Sequence, residues 1–358
     1  MIETFTRKQH RETFEVIMNL FLTGRGQPLP QLATVKSPSA ISRFLNHYQW
    51  NVRQIIRIMR QHVITEFQRY RQTPKGRNCK VELIVDMTSL LKEGRFEQLG
   101  DWMHHFNGVT GIHLVVLYFC CGDLRLPWSF LLWRGNGHPS PSQLALKLLA
   151  GLPPELVKRH SRVPHVLADA GFSGKAFIGG VVALGFTVSV SIQGSRLTTT
   201  GKSLRQIQRQ SKAVLLKDLP GVPLWMYWVL LPRANGGKPE RRYVVSSVYG
   251  TPSTIRKNGS KRWRIEALFK VLKSRFGLHR FGQSSKQGVL RYLCLSFLSY
   301  VFCHLEDFQR TKPRASMWPD WGDLARQLRW KYCGLVRLSE LKMEIEALQA
   351  VLDSVLLV

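Results

Sequence analysis

Over the first seventy-odd residues, apolar side chains recur at every third or fourth position, a spacing that predicts helices. Phe14, Ile17, Met18 and Phe21 form one such stripe. Ser37-Pro38 opens a second helix, because serine caps a helix start and proline suits its first turn. Ile41, Phe44 and Leu45 would face inward from it. A third helix is expected over 51–71, with Ile55, Ile56, Met59, Val63 and Phe67 on one side. Arg53, Arg57, Arg60 and Arg69 take the other side.

The pattern changes after a Pro- and Gly-containing linker at 73–80. Val81-Glu82-Leu83-Ile84-Val85 is a short β-branched run that predicts a strand ending on Asp86. Two longer runs, 111–118 and 126–133, flank Cys121-Gly122-Asp123 and predict an antiparallel hairpin. A helix is expected over 140–150, a strand over 163–168 that ends on Asp169, and a helix over 172–182. Between 185 and 249 the text is β-like, with strands expected at 186–192, 224–231 and 242–248. Helices return at about Ser260 and continue to the end. No internal repeat interrupts this order.

Composition narrows the function. The 358 residues suggest about two domains, and 44% hydrophobic content supplies a full core. Lys and Arg number 52 against 23 Asp and Glu, a net charge of +29. That excess calls for a polyanionic partner, nucleic acid or an anionic membrane. The membrane reading is set aside, because the apolar stretch at 112–133 is broken by Gly122, Asp123, Arg125 and Pro127. The stretch at 293–303 is short and reads as a buried helix. The first residues lack an apolar signal core, so a cytoplasmic, nucleoid-associated protein is expected. Cys79, Cys120, Cys121, Cys294, Cys303 and Cys333 form no paired C-x-x-C spacing, which favours reduced thiols over a zinc site.

The acids carry the chemistry. Two strands ending on Asp86 and Asp169 would bring two carboxylates together at one sheet edge, where ligands bind in open α/β sheets. Like charges that close require a cation, and hard oxygen ligands suit Mg²⁺ or Mn²⁺. A third acid, Glu266, stands on a basic helix. From Arg256 to Arg291 there are 11 basic residues and Glu266 is the single acid. Arg262 lies four residues before it and Lys273 seven after, on one stripe of a continuous helix. Three carboxylates can hold two ions for in-line phosphodiester cleavage, while Arg and Lys position phosphates. Other readings stay open residue by residue. Asp86 and Asp169 also suit turns, and Glu266 also suits an ion pair with Lys270 at i+4.

With these residues in view, the chain resembles the DDE transposases of bacterial insertion sequences, in particular the group marked by Y-x2-R-x3-E-x6-K. Arg262, Glu266 and Lys273 match the R, E and K, whereas Gly259 stands at the tyrosine position. Asp86-Met87-Thr88 and Asp169-Ala170-Gly171-Phe172 match the contexts of the family's two aspartates. The resemblance covers about 80–305. It implies an α/β, ribonuclease-H-like mixed sheet with flanking helices, a β-rich insertion before the last catalytic acid, and a helical N-terminal module.

The domain order implied is a DNA-binding module at 1–75, a first core segment at 80–184, the insertion at 185–250, a last core segment at 251–310, and a helical C-terminal region at 311–358. Asp86, Asp169 and Glu266 would be catalytic and bind two Mg²⁺, with Mn²⁺ able to substitute. Arg262, Arg264, Lys270 and Lys273 would contact DNA. Trp225 or Trp228 of the insertion would stack on a flipped base, or else fill the insertion core with Tyr227. The reaction implied is cleavage at terminal inverted repeats followed by strand transfer, through a hairpin intermediate. The partners are double-stranded DNA, as element ends and target, and a second copy, as a homodimer in the DNA complex. Leu341, Ile345, Leu348, Val351 and Leu352 form an amphipathic stripe that would either dimerise or pack within the chain. Two competing readings are a non-catalytic DNA-binding regulator, or decayed transposase, and a site-specific nuclease on the same fold.

Overall fold

The structure is a computed structural model, and it describes residues 2–24, 26–27, 32–93, 96–157, 163–231, 239–309 and 319–356. Residues 311–318 of the expected C-terminal region lie outside the described residues. The elements run α1 (Lys8–Thr23), α2 (Pro38–Asn46), α3 (Val52–Gln72), α4 (Pro74–Arg77), β1 (Val81–Leu91), β2 (His104–Phe106), β3 (Val109–Cys121), β4 (Leu124–Trp133), α5 (Pro141–Ala150), α6 (Pro154–Val157), β5 (His165–Ala168), α7 (Lys175–Ala183), β6 (Thr187–Ile192), β7 (Lys212–Leu216), β8 (Leu219–Leu231), β9 (Glu240–Ser246), α8 (Pro252–Arg262), α9 (Arg264–Ser274), α10 (Lys286–Phe308), α11 (Trp321–Tyr332) and α12 (Gly334–Leu356).

The chain divides into two compact units, neither continuous in sequence. One comprises 64–93 and 101–269 and holds a nine-stranded sheet in the order β2-β3-β1-β5-β6-β9-β8-β7, with β4 also paired to β3. β1, β5 and β6 are parallel neighbours, and every other pairing is antiparallel. Val81, Leu83, Ile84 and Val85 of β1 are sealed off from solvent, as are residues 112–121 of β3. That explains why both strands read as continuous apolar runs rather than as alternation. α5 and α7 pack on each other and on the sheet, and α8 packs on β5 and β8.

Local sequence sets most helix starts. Ser140 and Gln143 form a reciprocal capping box at α5. Thr251 caps α8 by accepting from the Thr254 amide, with Pro252 in the first turn. The helix therefore starts eight residues before Ser260, ahead of the expectation. Ser37 caps α2 as expected.

Four further differences have physical causes. β1 continues five residues beyond Asp86, because β3 pairs with it as far as Leu91↔Gly111. β7 falls in the Lys- and Arg-rich stretch between two expected strands, where none was expected; it is a sheet-edge strand whose apolar Leu215 is exposed, so its residues do not alternate apolar with polar. The expected single helix through Arg262 and Lys273 is two helices that meet at Trp263. Arg60 is half-buried rather than on a solvated face, and burial lowers its pKa.

The second unit comprises 1–63, 94–100 and 270–358. Its centre is α10, almost wholly buried among α1, α2 and α11. α10 is long and apolar enough to cross a membrane, but 89% of its apolar window is buried. Arg291 on α10 is fully buried and donates to the carbonyls of Leu45 (2.9 Å) and Trp50 (2.9 Å). α12 packs on α1 and α11, and Ile345, Leu348, Val351 and Leu352 of its apolar stripe are exposed. All six cysteines are free thiols.

Candidate active site

The β1–β5 register builds the acidic pair. Val85 is opposite Ala168 in the parallel ladder, and the next residue on each strand is an acid, Asp86 and Asp169. β5 ends there. Asp169 turns the chain, its Oδ1 accepting from the Gly171 amide at 2.9 Å. Asp86 sits inside a longer strand, and its Oδ1 accepts from its neighbour's amide, Met87, at 2.8 Å. Burial first, and then the charge of Asp169, push the Asp86 carboxyl up to about 7; Glu266 adds to this, while the Met87 amide and Arg262 oppose it.

Glu266 joins the pair through Arg262. The Arg262 guanidinium donates to Glu266 Oε1 at 2.8 Å and reaches Asp86 Oδ2 at 3.5 Å. A cation thus stands between two of the three acids, and Glu266 pairs with Arg262, four residues before it, rather than with Lys270, four residues after. The turn at Trp263 makes this geometry possible: α8 ends on Arg262, and α9 begins again with Glu266 in its first turn.

Asp86, Asp169, Arg262 and Glu266 line one cleft of about 720 Å³. Its other walls are the end of β6 and the residues after it, from Ser191 to Ser195, with Arg205 and the β9 residues Glu240, Arg241, Arg242 and Tyr243. Arg205 lies in the Lys- and Arg-rich stretch between the strands expected at 186–192 and 224–231 and was not among the candidates. Arg241 and Arg242 were missed, although the adjacent pair following an acid was visible in the text.

The remaining sequence candidates lie elsewhere. Arg264 is half-buried and pairs with Glu82 Oε2 at 3.1 Å. Lys270 is exposed on α9. Lys273 is half-buried in the last turn of α9, where burial lowers its pKa. Neither lysine lines the cleft. Trp225 and Trp228 are half-buried on β8 and also lie outside the lining. Trp225 meets Tyr249 edge-on at 4.9 Å, and Trp228 carries the Arg241 guanidinium 5.1 Å from its ring centre. Tyr227 is wholly buried, its hydroxyl donating to the Gly250 carbonyl at 2.8 Å.

The transposase DDE domain matches residues 77–302. The chain belongs to that family. The match begins ahead of β1 and ends within α10, so it includes all three acids of this DDE transposase. No curated protein matches the sequence. In fold, the chain is similar to the piggyBac transposase in a synaptic complex with hairpin DNA, with a TM-score of 0.52 at 12% identity over 95% of this chain and 74% of that one. A second similarity, to Ciona intestinalis endonuclease V in complex with DNA, has a TM-score of 0.27 at 10% identity over 61% of this chain and 98% of that one. The mixed sheet with flanking helices agrees with the ribonuclease-H-like expectation.

DDE transposases generally use divalent metal ions. Among the described residues, no three Asp, Glu, His or Cys side chains converge into a ready ligand cluster. The donor set nevertheless suits a hard cation, since all three acids offer carboxylate oxygens. Burial first, and then repulsion from Asp169, raise the Asp86 carboxyl, and a divalent ion would favour its charged form.

Proposed function

We propose that this transposase cuts DNA at the terminal inverted repeats of its insertion sequence and joins the freed ends to target DNA. The observation that carries this reading is the adjacency of Asp86 and Asp169 in a cleft shared with Glu266, Arg262 and three further arginines. Asp86, Asp169 and Glu266 would hold two Mg²⁺ or Mn²⁺ ions, which when bound lower the barrier at the attacking and leaving oxygens.

The side chains divide the remaining work. Arg205, Arg241 and Arg242 line the same cleft as the acids, and fork-shaped guanidinium groups suit phosphate oxygens. Arg262 keeps Glu266 drawn toward Asp86. In the first step a water oxygen bonds to the phosphorus at the element end and the bond to the 3′ oxygen breaks. That oxygen takes a proton and becomes a 3′-hydroxyl. In the second step the hydroxyl attacks a phosphodiester of the opposite strand, which gives a hairpin and releases the flanking DNA as a 3′-hydroxyl. Water then opens the hairpin and frees the element's 3′-hydroxyl, which attacks a target phosphodiester and releases a target 3′-hydroxyl. Coupling two ends calls for a homodimer on DNA. The match of Arg262, Glu266 and Lys273 to the R-x3-E-x6-K spacing supports membership of that group, with Gly259 as its departure.

Asp86→Ala, Asp169→Ala and Glu266→Ala should each abolish Mg²⁺-dependent end cleavage and leave DNA binding intact. Near-full cleavage by any one of them removes that residue from the set. Binding that persists in EDTA, with no nicking by the unaltered protein, would identify a regulator. Cleavage without joining of pre-cut ends would identify a nuclease.

A further inference from the structure

One acid in the sheet-containing unit has no place in the scheme above. Glu82 stands on β1 four residues before Asp86, on the same face of the strand, and is 5% exposed. A buried carboxylate is costly unless paired, and breaking its pairing leaves an uncompensated charge. Glu82 is paired twice. Lys261 donates to Oε1 and Arg264 to Oε2, the latter at 3.1 Å. These cations are the last residue but one of α8 and the first residue of α9. Between them lie Arg262 and Trp263, the joint of the two helices.

We infer that Glu82 is a positioning residue that locks the α8–α9 joint onto β1 and so aims Arg262 and Glu266 at Asp86; the inference rests on the catalytic reading of that cleft. The geometry leaves little slack. The same strand carries the anchor and the target, Glu82 and Asp86, and the same joint carries the anchored cations and the aimed pair. A second contact holds the α8 side: Asn258, three residues before Lys261, faces His165 Nε2 at 3.4 Å, and His165 is opposite Glu82 in the β1–β5 register. Glu82 also occupies two of the three cations at the joint. Arg262 is thereby left as the one that reaches Asp86 and Glu266.

The test uses the full-length chain and two variants, Glu82→Gln and the triple variant Glu82→Gln, Lys261→Met, Arg264→Met. The triple variant removes the two cations that the single one strands in a buried setting, so it keeps the test alive if the single variant fails to fold. Two readouts are followed: amide hydrogen exchange over residues 262–267, and the Mg²⁺ dependence of end cleavage. The expected result is exchange at least tenfold faster at the joint in either folded variant, with cleavage slowed at least tenfold at saturating DNA and a higher Mg²⁺ requirement. In the triple variant, recovery of thermal stability without recovery of rate separates positioning from simple support of the fold. Unchanged exchange, or a folded variant that cleaves at the original rate and Mg²⁺ dependence, overturns the inference. Faster exchange in the variants, with no cleavage by the unaltered protein, upholds the lock and instead removes the catalytic reading.

Discussion

Asp86 and Asp169 each follow directly on one member of the last β1–β5 pair, Val85 and Ala168, so the parallel register sets the two carboxylates side by side. Asp86 is also buried, and burial first and the charge of Asp169 second raise its carboxyl from 3.8 to about 7. Four predictions follow from this and from neighbouring features of the fold.

Asp86 should destabilise the metal-free protein above neutral pH. The folded state keeps its proton up to about pH 7, while an unfolded chain releases it near 3.8. Stability is therefore lost as pH rises through that window, and the full cost is present above it. Asp86→Asn should raise stability at pH 8 in EDTA by roughly 1–4 kcal/mol and change little near pH 4. Urea titrations at the two pH values check this, and an equal gain at both would refute it.

His165 should weaken the protein in acid. Burial, and then Lys80 and Lys261, push its imidazole down to about 3 from 6.5. Its Nδ1 is hydrogen-bonded to Thr187 Oγ1 at 2.7 Å and its Nε2 to Ser189 Oγ at 2.9 Å. Stability is complete above about pH 6.5 and falls by about 1.4 kcal/mol per unit as pH drops toward 3. His165→Gln removes that slope. Its stability relative to the unaltered protein should improve by about 2–3 kcal/mol between pH 6.5 and 4.5, measured by denaturant unfolding.

Arg291 should be a structural cation of the helical unit. It is buried, bonds the carbonyls of Phe44, Leu45 and Trp50, and lies 4.4 Å from the centre of the Trp50 ring. Two of these carbonyls belong to the last turn of α2, where a cation is favoured. Arg291→Met should cost about 2–4 kcal/mol, because carbonyls lose charged donors. Arg291→Lys should not restore the loss, since a point charge cannot replace the fork. Thermal unfolding of both variants decides the matter.

The cleft arginines should report phosphate contact through salt. Replacing Arg205, Arg241 and Arg242 by alanine together should flatten the log–log salt dependence of DNA binding by about 2–3 units, if each neutralises one phosphate. An unchanged slope would place the DNA backbone elsewhere. Fluorescence anisotropy across a range of KCl concentrations gives the slope directly.

Much of the fold is legible in local patterns. The capping serines at α2 and α5 and the apolar runs of β1, β3 and β4 each carry their own signal, because helix starts and buried strands depend on near neighbours in sequence. β7 carried almost none. An edge strand with exposed Lys212 and Leu215 need not alternate, so its residues read as a basic loop. Trp263 presented a similar difficulty: nothing in the spacing of Arg262, Glu266 and Lys273 separates one helix from two that join in a turn.

The sequence by itself determined the three acids, their order and the basic company that Glu266 keeps, because charge and spacing are written in the residues. It also carried the resemblance to DDE transposases. Pairings between distant segments depended on the tertiary structure. Register brought Asp86 beside Asp169, the joint at Trp263 turned Arg262 toward Asp86, and burial of β1 gave Glu82 its two cations. Register and burial arise only when strands far apart in sequence meet, and local periodicity holds no record of which strands those will be.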